Sequence, residues 1–305
     1  MKIEDQDTRA TIRDSATGPN RSLRVFEGSS AIVTGGASGI GRALGELLAS
    51  HGSDVCLVDR QIDMAEETAA EIRASGGKAT AAHADVSDFS AVEHVVHEVV
   101  GRTGRLDYLF NNAGIAIGGP LSLHSVDDWK RIVDVNLLGV INGIQAAYPI
   151  MLQQGFGHIV NTASMAGLSP APGATAYATT KHAVVGLSRS LRVEASFDDI
   201  RISVLCPGAI RTPILQGGGK YGKSYTNLSA EQERRMWDRV RPMPPDVFAR
   251  KALDAVARNK AVIVIPSWWK LMWYADRFFP SLAMALARKS FRKLQEISEE
   301  QAQHI

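Results

Sequence analysis

From Ser29 onward the chain alternates short runs of β-branched and aliphatic residues with longer stretches whose apolar positions recur at helical spacing. SSAIVT predicts a first strand and Gly39 to His51 a helix; DVCLVD predicts the second strand, followed by a helix from Met64 to Ala74. KATAAHADV predicts the third strand, and Asp88 to Val100 the next helix, with Phe89, Val92, Val96 and Val99 at helical spacing. RLDYLFNNAG reads as a fourth strand ending in a turn, and a long helix around Asp127 to Gln153 leads to the strand GHIVNTAS. A helix over Ala176 to Phe197 precedes RISVLCPG, and one near Val247 to Arg258 precedes KAVIVIPS, the seventh strand. Strands alternating with helices of this length imply parallel pairing through right-handed crossovers, and strands this apolar imply a sheet covered on both faces. The expectation is an α/β fold: one doubly wound domain over residues 25–266 with a central parallel seven-stranded sheet.

Three regions depart from that alternation. Residues 209–246 hold Gly217-Gly218-Gly219 and the prolines 242, 244 and 245, the pattern of a mobile loop with a short helix. Residues 267–305 form an aromatic-rich helical extension in which three of the five tryptophans fall between 268 and 273. Pro280 should break its helix, and Arg288, Lys289, Arg292 and Lys293 follow. This extension either packs over the substrate pocket or a neighbouring subunit, or rests on a membrane as an amphipathic peripheral contact. Residues 1–24 are polar, of mixed charge and without an apolar export core, and read as a flexible N-terminal tail or an arm docking on a neighbouring subunit. No uninterrupted apolar run approaches the length a membrane span needs.

Composition narrows the function classes. Hydrophobic residues make up 45% and charged residues 22%, as in a globular protein able to bury a full core. A formal net charge of +2 gives no electrostatic case for nucleic acid or for an acidic membrane surface. Cys56 and Cys206 each lie inside an apolar strand pattern, as buried, reduced thiols of a cytoplasmic protein. No CxxC or clustered His/Cys pattern suggests a metal site.

Two constellations carry chemistry. Thr34 to Gly41, TGGASGIG, joins the first strand to the first helix, where glycines let a pyrophosphate approach the unpaired N–H groups of a helix start. Asp59 closes the second strand, placed to accept hydrogen bonds from both hydroxyls of an adenosine ribose and to repel a 2′-phosphate; the adjacent Arg60 leaves some room for one. The second is Tyr177-x-x-x-Lys181, which puts phenol and ammonium on one helix face, with Ser164 at the end of the fifth strand. A nearby cation favours the phenolate and makes a tyrosine usable as a general acid/base.

Together these residues resemble the classical branch of the short-chain dehydrogenase/reductase family, over about residues 27–266. Thr34-Gly35, Ser38 and Gly39-Ile40-Gly41 look like its cofactor motif, Asp85-Val86 its adenine-contacting pair, and Asn111-Asn112-Ala113-Gly114 its NNAG segment. Asn136, Ser164, Tyr177 and Lys181 match its catalytic tetrad, and Pro207-Gly208 with Ile210 and Thr212 its PG motif beside the nicotinamide. Thr179 and Thr180 stand where the family often has small residues. The resemblance implies a Rossmann-type fold and hydride transfer between a secondary alcohol or ketone and a nicotinamide cofactor, NAD in preference to NADP. It implies Tyr177 as general acid/base, Lys181 stabilising the phenolate and holding the nicotinamide ribose, Ser164 holding the substrate oxygen, and Asn136 anchoring a water behind Lys181. It also implies a homodimer or homotetramer.

The substrate loop offers Ile214, Leu215, Tyr221, Tyr225, Leu228, Met236 and Trp237, apolar enough to cover a hydrophobic substrate, with the glycine triplet as hinge. Lys220 and Lys223 offer a meeting point for an anionic group instead. The alternatives are an NADPH-dependent ketone or 3-ketoacyl reductase, a non-catalytic NAD-binding regulator, and a scaffolding protein docking through its aromatic tail.

Overall fold

A strand whose side chains are apolar on both faces is stable only between two layers, and the first strand, Ser30–Thr34 (β1), is buried along its whole length. The computed structural model describes residues 23–216, 221–226 and 229–302. The other strands are β2 (Asp54–Asp59), β3 (Lys78–His83), β4 (Tyr108–Asn111), β5 (Ala116–Gly118), β6 (Gly157–Thr162), β7 (Ile200–Pro207), β8 (Gly222–Ser224) and β9 (Val262–Ile265). The α-helices are α1 (Gly39–Ser50), α2 (Ile62–Ala74), α3 (Phe89–Thr103), α4 (Val126–Val133), α5 (Gly139–Gln154), α6 (Thr175–Ala195), α7 (Ala230–Asp238), α8 (Pro245–Ala257), α9 (Trp269–Phe278) and α10 (Pro280–Ala302).

Seven strands pair in the order β3-β2-β1-β4-β6-β7-β9, all parallel. One apolar cluster, with Leu44, Leu48, Phe110 and Phe248, fills one face; a second, with Leu109, Ile144, Val184 and Val204, fills the other. The strand order reverses between β1 and β4, and the crevice that a doubly wound sheet opens at such a switch point lies at the C-terminal strand ends. Cys56 and Cys206 are both buried free thiols.

Four details differ from the sequence expectation. The third strand stops at His83, because the Asp85 carboxylate accepts from the Ser87 N–H (3.0 Å) and hydroxyl (2.7 Å) and turns the chain toward α3. The expected long helix is interrupted by a π-helical turn, Asp134–Leu138, between α4 and α5. Glycines seat this helix against the sheet: a Cβ on Gly139 would stand 2.7 Å from Val86 Cγ2, and one on Gly143 2.1 Å from Asn111 Oδ1. By length and composition Val126–Gln154 is apolar enough to cross a membrane, but Ile132, Val140, Ile144, Ala147 and Met151 are buried in the fold.

The region read as a mobile loop contains β8, which pairs in parallel with β5. Gly222 there has φ 149° and a Cβ would meet the Ala116 carbonyl oxygen at 1.7 Å, so the strand closes only on glycine. Gly217, Gly218, Gly219, Lys220 and Leu228 lie outside the described residues. Finally, Arg24 is anchored to the sheet rather than part of a flexible tail. Its N–H donates to Asp107 Oδ1 (3.0 Å) and its carbonyl accepts from the Tyr108 hydroxyl (2.8 Å), because the buried Asp107 at the start of the sheet needs donors. Residues 1–22 lie outside the described residues.

Candidate active site

The turn from β1 into α1 is held open by backbone geometry. Gly35 and Gly39 have φ of +66° and +56°, and a Cβ on Gly41 would meet the Gly35 carbonyl oxygen at 2.0 Å. Ser38 occupies the N-cap position of α1 but makes no side-chain capping bond, so the helix start keeps N–H donors for an anion. Ser38, Gly39 and Ile40 line a cleft of about 550 Å³. Thr34 and Gly41 do not line it; both act from behind. Thr34 Oγ1 accepts from the N–H groups of Asn112 (2.9 Å) and Ala113 (3.0 Å), and Asn112 Nδ2 donates to the Thr34 carbonyl (3.1 Å), locking β1 to the end of β4.

At the end of β2, Asp59 Oδ2 accepts from the Ala37 N–H (3.2 Å) and Oδ1 from the Gln61 N–H (3.0 Å). Each oxygen retains acceptor capacity facing the cleft. Arg60 is turned to Asp85, with Nη1 3.4 Å from Oδ2. Val86 packs on Gly139, and Ala113 and Gly114 form the floor. Pro207, Gly208, Ile210 and Thr212 line the opposite wall, and Thr212 Cγ2 approaches to 3.1 Å of a Cβ built on Gly39. An open anion-binding helix start, a carboxylate with spare acceptor sites and a glycine-lined floor fit a dinucleotide.

Ser164, Tyr177 and Lys181 meet deeper in the same cleft. Helical spacing in α6 stacks Lys181 one turn behind Tyr177, with Nζ 5.5 Å from the ring centroid and donating to the Thr162 carbonyl (2.9 Å). Burial pushes the phenol above its ordinary value, opposed by the neighbouring Ser164 hydroxyl, and lowers the Lys181 ammonium to about 8. In the chain alone burial therefore outweighs the expected lowering of the Tyr177 pKa by the neighbouring cation. Burial also lifts the Cys206 thiol beside Lys181 to about 12, keeping it neutral.

Asn136 is wholly buried within the π-helical turn and does not face the cleft. Its Oδ1 accepts from the Ile115 N–H (2.8 Å), while Nδ2 donates to the Ile115 carbonyl (2.9 Å) and the Thr180 hydroxyl (3.3 Å). Gly114 separates it from Lys181: a Cβ there would lie 3.2 Å from Asn136 Oδ1 and 3.5 Å from Lys181 Nζ.

The outer cleft is lined by Ile214, Leu215, Tyr221, Met236 and Trp237, as the loop composition predicts. Tyr225 instead turns away. Its hydroxyl donates to Asp128 Oδ2 (2.5 Å) and its ring stacks on His124. Lys223 Nζ donates to Asp128 Oδ1 (3.2 Å) while lying 4.4 Å above the Tyr225 ring. The Tyr225 hydroxyl and the Ser125 backbone N–H hold the Asp128 carboxyl well below the usual range. This latch between β8 and the start of α4 was missed by sequence reasoning. Only the capping pair Ser125 and Asp128 is visible locally, and its partners lie about a hundred residues away. Trp269 and Met272 of α9 also line the cleft, and the Trp269 indole lies against Gly208, where a Cβ would meet Nε1 at 2.3 Å.

Residues 29–220 match the short chain dehydrogenase family. Meso-2,3-butanediol dehydrogenase of Serratia marcescens is 37% identical over 192 residues, 63% of this chain and 75% of that enzyme. A short-chain dehydrogenase/reductase of Burkholderia phymatum, solved in complex with NAD, superposes with a TM-score of 0.77 at 30% identity, covering 85% of this chain and 96% of that one. The 3-ketoacyl-(acyl-carrier-protein) reductase of Brucella melitensis, solved with NADH, gives 0.69 at 28% identity, covering 79% and 97%.

Proposed function

This chain belongs to the short-chain dehydrogenase/reductase family and is an NAD(P)-dependent oxidoreductase; on that premise we propose that it interconverts a secondary alcohol and a ketone on a hydrophobic substrate, with NAD preferred and Tyr177 as general acid/base. The observation that carries this reading is the trio of half-buried Ser164 and Tyr177 with buried Lys181 beneath a cleft whose outer lining includes Ile214, Leu215, Met236, Trp237 and Trp269.

Gly35, Ser38, Gly39 and Ile40 would hold the pyrophosphate, Asp59 the adenosine ribose, Asp85 and Val86 the adenine, and Asn112, Ala113, Gly114, Pro207, Gly208, Ile210 and Thr212 the nicotinamide half. A bound nicotinamide dinucleotide supplies the hydride donor or acceptor and, when oxidised, a positive charge beside the phenol. Tyr177 takes the alcohol proton in oxidation and returns it in reduction. Lys181 stabilises the phenolate, and its depressed pKa lets it exchange a proton near neutrality. Ser164 donates to the substrate oxygen as charge develops there. Asn136 acts at one remove, fixing the backbone at Ile115 and the Thr180 hydroxyl behind Lys181.

NAD preference is supported by electrostatics. Arg60 already faces Asp85, so a 2′-phosphate would approach Asp59 and Asp85 with no cation left to itself. The test is cofactor reduction with NAD against NADP across hydrophobic secondary alcohols. Turnover with NAD supports the reading; turnover with NADP alone favours the ketone or 3-ketoacyl reductase, and cofactor binding without turnover favours a regulator. The reading includes a homodimer or homotetramer built through the outer faces of α5 and α6, supported by the exposed Leu138, Leu152, Val193 and Phe197. Sedimentation of Val193→Asp at reduced mass supports that assembly, and unchanged mass speaks against it.

A further inference from the structure

The helical extension has two faces of different fate. Trp269 and Trp273 of α9 turn inward, onto Gly208 and the core, while Met272, though 47% exposed, lines the cleft. The outer residues do not: Leu271 is 75% exposed, Phe278 73%, Phe279 64%, Leu282 59% and Leu286 61%. Phe278 and Phe279 form the junction of the two helices, and α10 packs mainly on α9. Apolar side chains this large and contiguous are not left to water without a partner.

The arrangement discriminates between partners. From Phe278 to Ala287 the sequence FFPSLAMALA holds no ionisable side chain. Leu282, Met284 and Leu286 are all exposed, and steps of two residues carry successive side chains about 200° around the axis. This end of α10 is therefore apolar on every side rather than along one stripe. A protein groove covers a stripe, whereas a helix apolar all round suits immersion in hydrocarbon. Pro280 to Ala287 spans about 12 Å at 1.5 Å per residue, short of the roughly 15 Å of one leaflet's hydrocarbon. Immediately beyond, Arg288, Lys289 and Arg292 are exposed, at the level where anionic headgroups would lie and where long basic side chains reach the interface.

We propose that the α9–α10 junction is a monotopic membrane anchor that inserts Phe278, Phe279 and the first turns of α10 into one leaflet, with Arg288, Lys289 and Arg292 binding anionic lipid. Met272 lines the cleft from the same helix pair, so docking sets the cleft beside the lipid from which an apolar alcohol partitions. That last consequence rests on the proposed function; vesicle binding does not.

The test is co-sedimentation of the full chain with vesicles of phosphatidylcholine alone and of phosphatidylcholine mixed with phosphatidylserine. Binding should favour the anionic vesicles and weaken with salt. Phe278→Asp with Phe279→Asp, both at exposed positions, should lower affinity about tenfold or more. Replacing Arg288, Lys289 and Arg292 with Glu should remove the preference for phosphatidylserine, an effect on the order of a hundredfold. Turnover of a water-soluble alcohol should stay unchanged in both variants, which separates failure of the anchor from failure of the oxidoreductase reading. Absence of binding to both vesicle types overturns the proposal. So does a fall in the mass of vesicle-free protein on Phe278→Asp, which assigns the surface to a second copy of the chain.

Discussion

Lys181 lies directly behind Tyr177, its ammonium 5.5 Å from the centre of the phenol ring and, among the described residues, hydrogen-bonded to the Thr162 carbonyl at 2.9 Å rather than to a carboxylate. A buried cation with a neutral acceptor is an unsettled charge, and the site's expected behaviour follows from it.

Tyr177→Phe removes the proposed proton carrier and leaves the cleft wall in place. Turnover should fall by about 10²- to 10⁴-fold while NADH affinity, read by the change in its fluorescence on binding, stays within about twofold. Near-normal turnover would remove Tyr177 from the chemistry.

Lys181→Met should abolish turnover and raise the stability of the cofactor-free chain. The folded-state pKa of about 8 lies below the ordinary 10.5, so between those values the unfolded chain binds more protons and wild-type stability rises with pH. At pH 7 the charge therefore costs about 3 kcal/mol, which methionine avoids. Thermal melts should show the variant's advantage largest below pH 8 and shrinking toward pH 10.5. An advantage that does not vary with pH would mean the ammonium is not strained by burial.

Asp59→Ala should move cofactor selection toward NADP. The ratio of kcat/KM for NAD over NADP should fall by at least about tenfold, because the variant loses two charged hydrogen bonds to a ribose and one source of repulsion. An unchanged ratio would place selection elsewhere.

Asp128→Asn breaks the charge of the latch that holds β8. Amide exchange over residues 221–226 should speed up about tenfold or more, with exchange in β1 and β4 unaltered. Equal exchange in both proteins would show that the β5–β8 pairing alone holds the lid.

The sheet was legible because its signals are local: β1, β2, β4 and β9 each hold an unbroken apolar run, and the crossover helices carry their own period. The trio of Ser164, Tyr177 and Lys181 was legible for a similar reason, since one helix turn and one strand end fix their spacing. The π-helical turn at Asn136 leaves no such trace, and the approach of Gly139 to Val86 and of Gly143 to Asn111 that follows it joins residues distant in sequence. The Asp128 latch joins residues almost a hundred positions apart, and the strands it secures are three residues long, too short to carry a pattern. The direction of the Tyr177 shift depends on how deeply the phenol is buried, which spacing alone does not encode.

Trp269 closes on Gly208 from beyond residues 29–220, and Met236, Trp237 and Met272 also reach the cleft from there. Ser164, Tyr177, Lys181 and the glycine turn lie inside residues 29–220, as do the lining residues Ile214 and Leu215. The outer wall of the cleft is thus assembled from both lengths of chain, and the part supplied by α9 can diverge without touching the trio. A chimera carrying a relative's residues 209–246 alone would keep Trp269 and Met272 at the cleft; only an exchange that includes α9 would replace them.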